Sequence, residues 1–460
     1  MTKAHGGPLT ADLRMAWLLT RGSDRREWWR VGLTAVGAAL ATGIGMAVVA
    51  LNSLDGYYSV SFGAGLLDSA SDRRNVSAVA VLLLIPVLGF LGQCARIGAV
   101  HRDRRLAALR LAGAGPWQVR RIAALESGPA CLAGSVAAAA VSVPPLLLLW
   151  EHPAPVTWAG VVLVPVVVSV LGAAVSMLSL WRVVASPLGW VRRVRPMWGP
   201  GRALRVVLGL LGVVALFVAL SSFLGGPVEV SLGPPTVFAV VLVIGFATVS
   251  LAGTTARRLG GALAARAQSP ALLIAAERLR DDPWAAARTH ASVLLVTVVG
   301  AGFVGVRQVL LATLHTMRDE NTLAADLDYY TTGIDLTGAA ILVALALVLT
   351  GLAVGTVESL ATRRRGLAAQ VAAGVPYRVL ARALILETAL PLAPAVTVAG
   401  VGGTAIGVWY ASLPSRDTAV TLPYAALLVP LVIYAACLLA AATSLPLLRR
   451  SVRPAELRFA

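Results

Sequence analysis

Five ionisable residues stand inside otherwise apolar stretches of this chain: Arg96, Glu126, Arg307, Glu358 and Glu387. Carboxylates and guanidinium groups in such places can relay protons, pair with one another or cap helix backbone. Each would cost roughly 2.5–3.5 kcal/mol at the centre of a membrane-spanning helix, which makes it a functional candidate by default. Position lowers that cost, because all five lie near an end of their stretch, where a long side chain reaches the polar interface. Glu126 and Glu387, preceded by Arg121 and Arg382, are therefore expected to pair with arginine or cap backbone in a structural or coupling role rather than to pass protons.

No enzyme chemistry is legible. The five histidines are scattered, H-E-x-x-H is absent, and no nucleophile has an evident base. Cys94, Cys131 and Cys437 each sit in an apolar run without metal-ligand spacing, so they read as small buried hydrophobes. A phosphate-binding G-x-x-x-x-G-K-[ST] loop needs a lysine, and the single lysine, Lys3, lies in the N-terminal arm. If ATP drives this protein, another subunit must bind it. The chain itself is expected to hold no cofactor and no metal.

The elements that carry these residues are apolar runs. Of 460 residues 58% are hydrophobic and 13% charged, a balance that favours a helical membrane class over a soluble domain. A spanning helix needs about 20 apolar residues, and ten runs qualify, at roughly 31–54, 76–100, 122–149, 158–181, 206–224, 235–256, 291–312, 336–360, 383–410 and 422–446. No cleavable signal is evident, so the first run is expected to be a retained helix. Lys and Arg number thirty-three in the loops on one side and four on the other. By the positive-inside rule both termini are cytoplasmic. The net charge of +17 is thus a topological signal, and nucleic acid is not an expected partner. The outer loops are too short for a large extracytoplasmic domain. One of them, 313–335, carries Asp319, Glu320, Asp326, Asp328 and Asp335; it reads as a solvated acidic loop, with attraction of a cationic or amphipathic substrate as the alternative.

The chain also repeats itself. Leu106, Ala107, Ala108 and Gly113 align with Leu367, Ala368, Ala369 and Gly374. Arg121 and Glu126 align with Arg382 and Glu387, and Arg182 and Pro187 with Arg449 and Pro454. The expected organisation is a cytoplasmic arm at 1–30, a four-helix repeat at 31–190, a two-helix connector at 191–270 and a second four-helix repeat with a tail at 271–460. Equivalent helices keep the same orientation, so the repeats are parallel. In each, a basic cluster precedes a short Leu/Ala stretch and a Gly–Pro break, the pattern of a short interfacial helix. Gly113 suits a helix end and Pro116 the start of the next helix. Close helix packing is expected at Ala35, Ala39, Gly43 and Ala47, and at the pairs Gly351/Gly355 and Gly403/Gly407.

The segments 102–127 and 363–388 resemble the signature of FtsX-like permeases of ABC transporters: a basic cluster, a small A-L-x-x-x-G-A-x helix and an R-x-x-x-x-E start to the next span. The tails S-P-L-G at 186–189 and R-P-A-E-L-R at 453–458 are similar to those that close the family's repeats. The resemblance implies an all-α, ten-helix, duplicated permease in a bacterial cell membrane, working with two copies of an ABC ATPase that supplies ATP and Mg. It implies ATPase contacts at 104–113 and 365–374, with Leu106, Leu109, Gly113, Leu367, Gln370 and Gly374 as coupling residues. The implied substrate is amphipathic, a lipid or a peptide antibiotic, moved or sensed at the membrane. The second copy departs from the signature, with Gln370 and Val371 where the first has Leu109 and Arg110. An ion-coupled secondary transporter and a non-transporting membrane regulator are the rival readings.

Overall fold

A computed structural model describes residues 25–54, 56–57, 64–94, 111–149, 155–179, 233–411 and 422–451. All regular structure among them is helical. That is the outcome required of lipid-exposed backbone, since a helix satisfies its N–H and C=O groups internally. The chain divides into two compact units, residues 1–195 and 196–460.

The first unit contains α1 (Arg25–Asn52), α2 (Ala70–Cys94), α3 (Pro116–Leu149) and α4 (Pro155–Ser179). The second contains α5 (Gly233–Arg266), α6 (Pro270–Asp281), α7 (Pro283–Asp319), α8 (Leu327–Thr362), α9 (Arg364–Ala372) and α10 (Tyr377–Ala411). A 3-10 turn (Tyr424–Leu428) then leads into α11 (Val429–Ala442) and α12 (Leu445–Ser451). Among the described residues seven helices are long and apolar enough to cross a membrane, in α1, α3, α4, α7, α8, α10 and the final Tyr424–Arg449 stretch. This is a multi-pass all-α membrane protein. The second and sixth expected runs are helical as α2 and α5, while the fifth, 206–224, lies outside the described residues.

In the first unit α1 runs against α3, with α2 and α4 also packed on α1. Helices in lipid gain from close van der Waals contact rather than from hydrophobic exclusion, so small residues mark the seams. A Cβ added at Gly134 of α3 would stand 2.0 Å from the Ala35 carbonyl oxygen. In the second unit α7 runs against α10 in the same way, with α8 and α11 packed on α7. There a Cβ at Gly403 would lie 2.5 Å from the Val298 carbonyl oxygen, and one at Gly407 would lie 2.9 Å from Gly305 Cα. The Gly403/Gly407 pair thus forms a packing seam, whereas Gly355 faces open space.

Two helix-end regions are tied by polar side chains. Arg73, 1% exposed, donates to the carbonyls of Leu67, Asp68, Leu54 and Gly56 at 2.8, 2.8, 3.0 and 2.6 Å. One guanidinium thereby closes the base of the connection between α1 and α2. Gln308 of α7 donates to the Leu422 carbonyl at 3.1 Å and accepts from the Ala425 amide at 3.1 Å, fixing the start of the last span. The acidic stretch expected as a loop at 313–335 is mostly helix: α7 continues to Asp319 and α8 begins at Leu327. Asp326 occupies the N-cap position of α8 without a side-chain capping bond, and Asp328 lies in its first turn, where a negative charge is favoured by the helix dipole. Asp335 pairs with Arg307 at 3.2 Å.

Candidate functional site

The segment between α8 and α10 is built from R-R-R-G-L-A-A-Q-V-A-A-G-V-P. Arg363, at φ −99° and ψ 7°, interrupts the helix and lets α9 leave the line of α8. The sequence of α9 has one buried side, Leu367 and Ala368, and an exposed small side that includes Gly366, Ala369 and Ala373 just beyond its end. Its last turn closes in a Schellman arrangement: the Val375 amide donates to the Gln370 carbonyl at 3.0 Å, and the Gly374 amide to the Val371 carbonyl at 2.9 Å. That closure requires the left-handed region, and Gly374 sits at φ +93°. Pro376 follows and prevents the helix from resuming before α10.

Packing holds α9 from below its apolar side. Leu367 joins Leu360 of α8, Leu380 and Leu384 of α10 and Leu448 of α12, with Ile274 of α6 and Val375 packed against them. Full burial of a leucine side chain contributes about 2 kcal/mol, so this cluster fixes a nine-residue helix too short to persist alone. Tyr377, at the start of α10, donates to the Leu445 carbonyl at 2.9 Å, and the Arg449 guanidinium lies 5.2 Å over its ring.

Glu387 completes the arrangement. Its carboxylate, 15% exposed, takes Arg278 of α6 on one oxygen and Arg363 on the other, the latter at 3.0 Å. Arg278 and Arg363 are thus the partners of this carboxylate. Arg382 is exposed on α10. Gln370 is half-buried, and its Oε1 is buried without a hydrogen-bond partner. No carboxylate occurs between Glu358 and Glu387, a span holding Arg363, Arg364, Arg365, Arg378 and Arg382. The segment that contains α9 is therefore basic, with a small-residue centre.

The first copy is described from Leu111 onward. Gly113 has φ +98°, close to that of Gly374, and α3 begins at Pro116. Arg121 is half-buried on α3, and Glu126 lies on the same helix with its side chain outside the described part. Leu106, Leu109, the S-P-L-G tail and the 453–458 tail lie outside the described residues, as does Arg96.

Sequence reasoning missed α6 and with it Arg278. Ser269 caps this helix by accepting from the Leu272 amide at 3.3 Å, and Ala271, Ala275, Ala276 and Leu279 form its buried side. A Ser-Pro start followed by small and apolar residues at i and i+4 was the available cue. Among the described residues no group of three His, Cys, Asp or Glu side chains comes together as a metal site.

Residues 76–188 match the family model of the FtsX-like permease C-terminal domain. That stretch contains most of α2, all of α3 and α4, and the glycine of the first repeated loop. The second copy, 363–388, lies outside the matched stretch. No curated protein matches the chain. Over this quarter of the chain the sequence is thus similar to an FtsX-like permease domain, which is consistent with a membrane permease component.

Proposed function

We propose that this FtsX-like permease is the membrane subunit of an ABC transporter, coupling hydrolysis by a separate ATPase to the movement or sensing of an amphipathic substrate. The lipid-facing, all-helical body suits a substrate that reaches its site through the bilayer, a lipid or a peptide antibiotic. The two repeated loops, 104–113 and 365–374, are the ATPase contacts, one for each of two ATPase copies. Both termini face the cytoplasm of a bacterium. ATP and Mg bind to the partner, since the chain's only lysine is Lys3 and no Walker A loop can be formed.

The observation that carries this reading is α9 itself. A nine-residue helix lies between two long helices, closed by a positive-φ glycine and bolted by a leucine cluster, with its small-residue side exposed. Small side chains permit close approach of a partner, and the surrounding arginines favour an acidic rim on it. The same glycine conformation recurs at Gly113, which supports the two loops having one role. The second four helices pack in the pattern of the first, which supports a duplicated permease.

The test is purification of the full chain from its host membrane in mild detergent. A stoichiometric subunit with a Walker A sequence, whose ATP hydrolysis responds to the presence of the chain, is the expected result. A chain that purifies in active form without any such subunit contradicts the proposal.

A further inference from the structure

Glu387 is placed where three elements meet. Its carboxylate receives Arg278 from α6 and Arg363 from the junction of α8 and α9, while the residue itself belongs to α10. Its backbone marks a second boundary. Pro391 stands four residues on, inside the same helix, and has no N–H to donate to the Glu387 carbonyl. Helices bend at such positions. The segment of α10 from Tyr377 to Glu387 thus precedes a position where the helix lacks a backbone hydrogen bond, and the ion triad lies on that side of it.

We propose that Glu387 is a positioning residue that binds α6, α9 and this segment of α10 into one body, so that force applied at α9 moves all three together. This rests on the reading that α9 is an ATPase contact, and it goes beyond it by making α6 part of the coupling apparatus. The charge count gives the triad its sign. Two guanidinium groups share one carboxylate, so neutralising Glu387 leaves two like charges close together in a half-buried place. Coulomb repulsion at reduced dielectric then drives α6 and the start of α9 apart. Loss of either arginine alone leaves one ion pair and a weaker link. The leucine cluster beneath α9, against which Ile274 of α6 also packs, is untouched by these changes, so the helices persist in contact while the orientation of α6 against α9 loosens.

The experiment uses the full chain in nanodiscs with spin labels at Leu273 of α6 and Ala369 of α9, both exposed. The unaltered chain is expected to give a narrow interspin distance distribution. Glu387→Gln is expected to abolish that narrow distribution, Arg278→Gln and Arg363→Gln to broaden it less, and Arg363→Lys to restore it. Arg280→Gln, which removes only an exposed pair with Glu277, leaves it unchanged. Labels at Leu342 and Leu431 on α8 and α11 report whether the membrane core is intact, and they are expected to keep their distribution in every variant. With the co-purifying ATPase bound, Glu387→Gln lowers the stimulation of hydrolysis by about tenfold, a usual scale for coupling between sites. An unchanged Leu273–Ala369 distribution in Glu387→Gln, with the core labels also unchanged, overturns the inference. So does a widened distribution with undiminished ATPase stimulation. Absence of any ATPase from the unaltered complex sinks the proposed function instead, and the distance measurement still decides whether Glu387 fixes α6 to α9.

Discussion

Glu387 accepts from Arg363 at 3.0 Å, joining the first third of α10 to the residue that separates α8 from α9. The pair crosses the short helix that sequence repetition singles out, and Arg278 completes it from a helix that sequence reading passed over. Ion pairs at exposed surfaces contribute little. This one is mostly buried at the carboxylate and bridges separate elements, so its role is placement of α9 more than stability of the whole.

Valine at Gly374 tests the closure of α9. A Cβ there would meet nothing within 4 Å, so any effect comes from the backbone, held at φ +93°. The strain is roughly 1–2 kcal/mol, and a β-branched residue raises it. Gly374→Val is expected to insert normally, keep its melting temperature within a few degrees and lose most ATPase association. Gly113→Val, at φ +98°, is expected to behave alike, with the stronger loss because the first copy fits the family signature better. Membrane fractionation and pull-down of the ATPase read both.

Bulk at Gly403 tests the seam between α7 and α10. The added Cβ would stand 2.5 Å from the Val298 carbonyl oxygen, a backbone atom that cannot step aside. Gly403→Leu is expected to cost several kcal/mol, of the order seen when a close-packed interior is overfilled, and to abolish monodisperse protein in size-exclusion chromatography. Gly355→Ala, facing open space, is expected to leave yield and melting temperature unchanged.

Removal of the buried guanidinium tests the outer loop. Arg73→Ala forfeits four hydrogen bonds to carbonyls of residues 54–68, with an expected loss of about 3 kcal/mol locally. Limited proteolysis from the outer side is expected to cut the loop rapidly in this variant and slowly in the unaltered chain.

Orientation has its own test. Ala325, exposed between α7 and α8, and Ala373, exposed beyond α9, are replaced singly by cysteine in a background lacking Cys94, Cys131 and Cys437. An impermeant thiol reagent is expected to label position 325 on intact cells and position 373 only after permeabilisation. The reverse pattern overturns the placement of both termini in the cytoplasm.

The sequence made the all-helical membrane class legible because lipid leaves backbone few alternatives, and apolar runs of spanning length announce it. Repetition then pointed to Gly113 and Gly374, since a positive-φ position at a helix end leaves a glycine as its trace. The carboxylate at Glu387 was legible as a paired group, but its partners were not. Arg278 lies 109 residues away, and in a basic inner loop its charge is indistinguishable from ordinary positive-inside anchoring. The acidic outer stretch was read as loop because spans were sized to the bilayer, whereas α7 and α8 extend beyond their apolar cores and take Asp326 and Asp328 into a helix start. Most of the first repeated loop, including Leu106 and Leu109, falls outside the described residues, so its likeness to α9 is carried here by Gly113 and the start of α3.

Direct contact between α9 and the ATPase is the central claim, and site-specific photocrosslinking from position 369 measures it. A crosslinking residue replaces Ala369, on the exposed side of α9, in the full complex in native membranes. The account predicts a crosslinked product containing this chain and the Walker A subunit, lost when Gly374→Val is added. A complex that retains the ATPase at full occupancy yet gives no product from position 369 contradicts it.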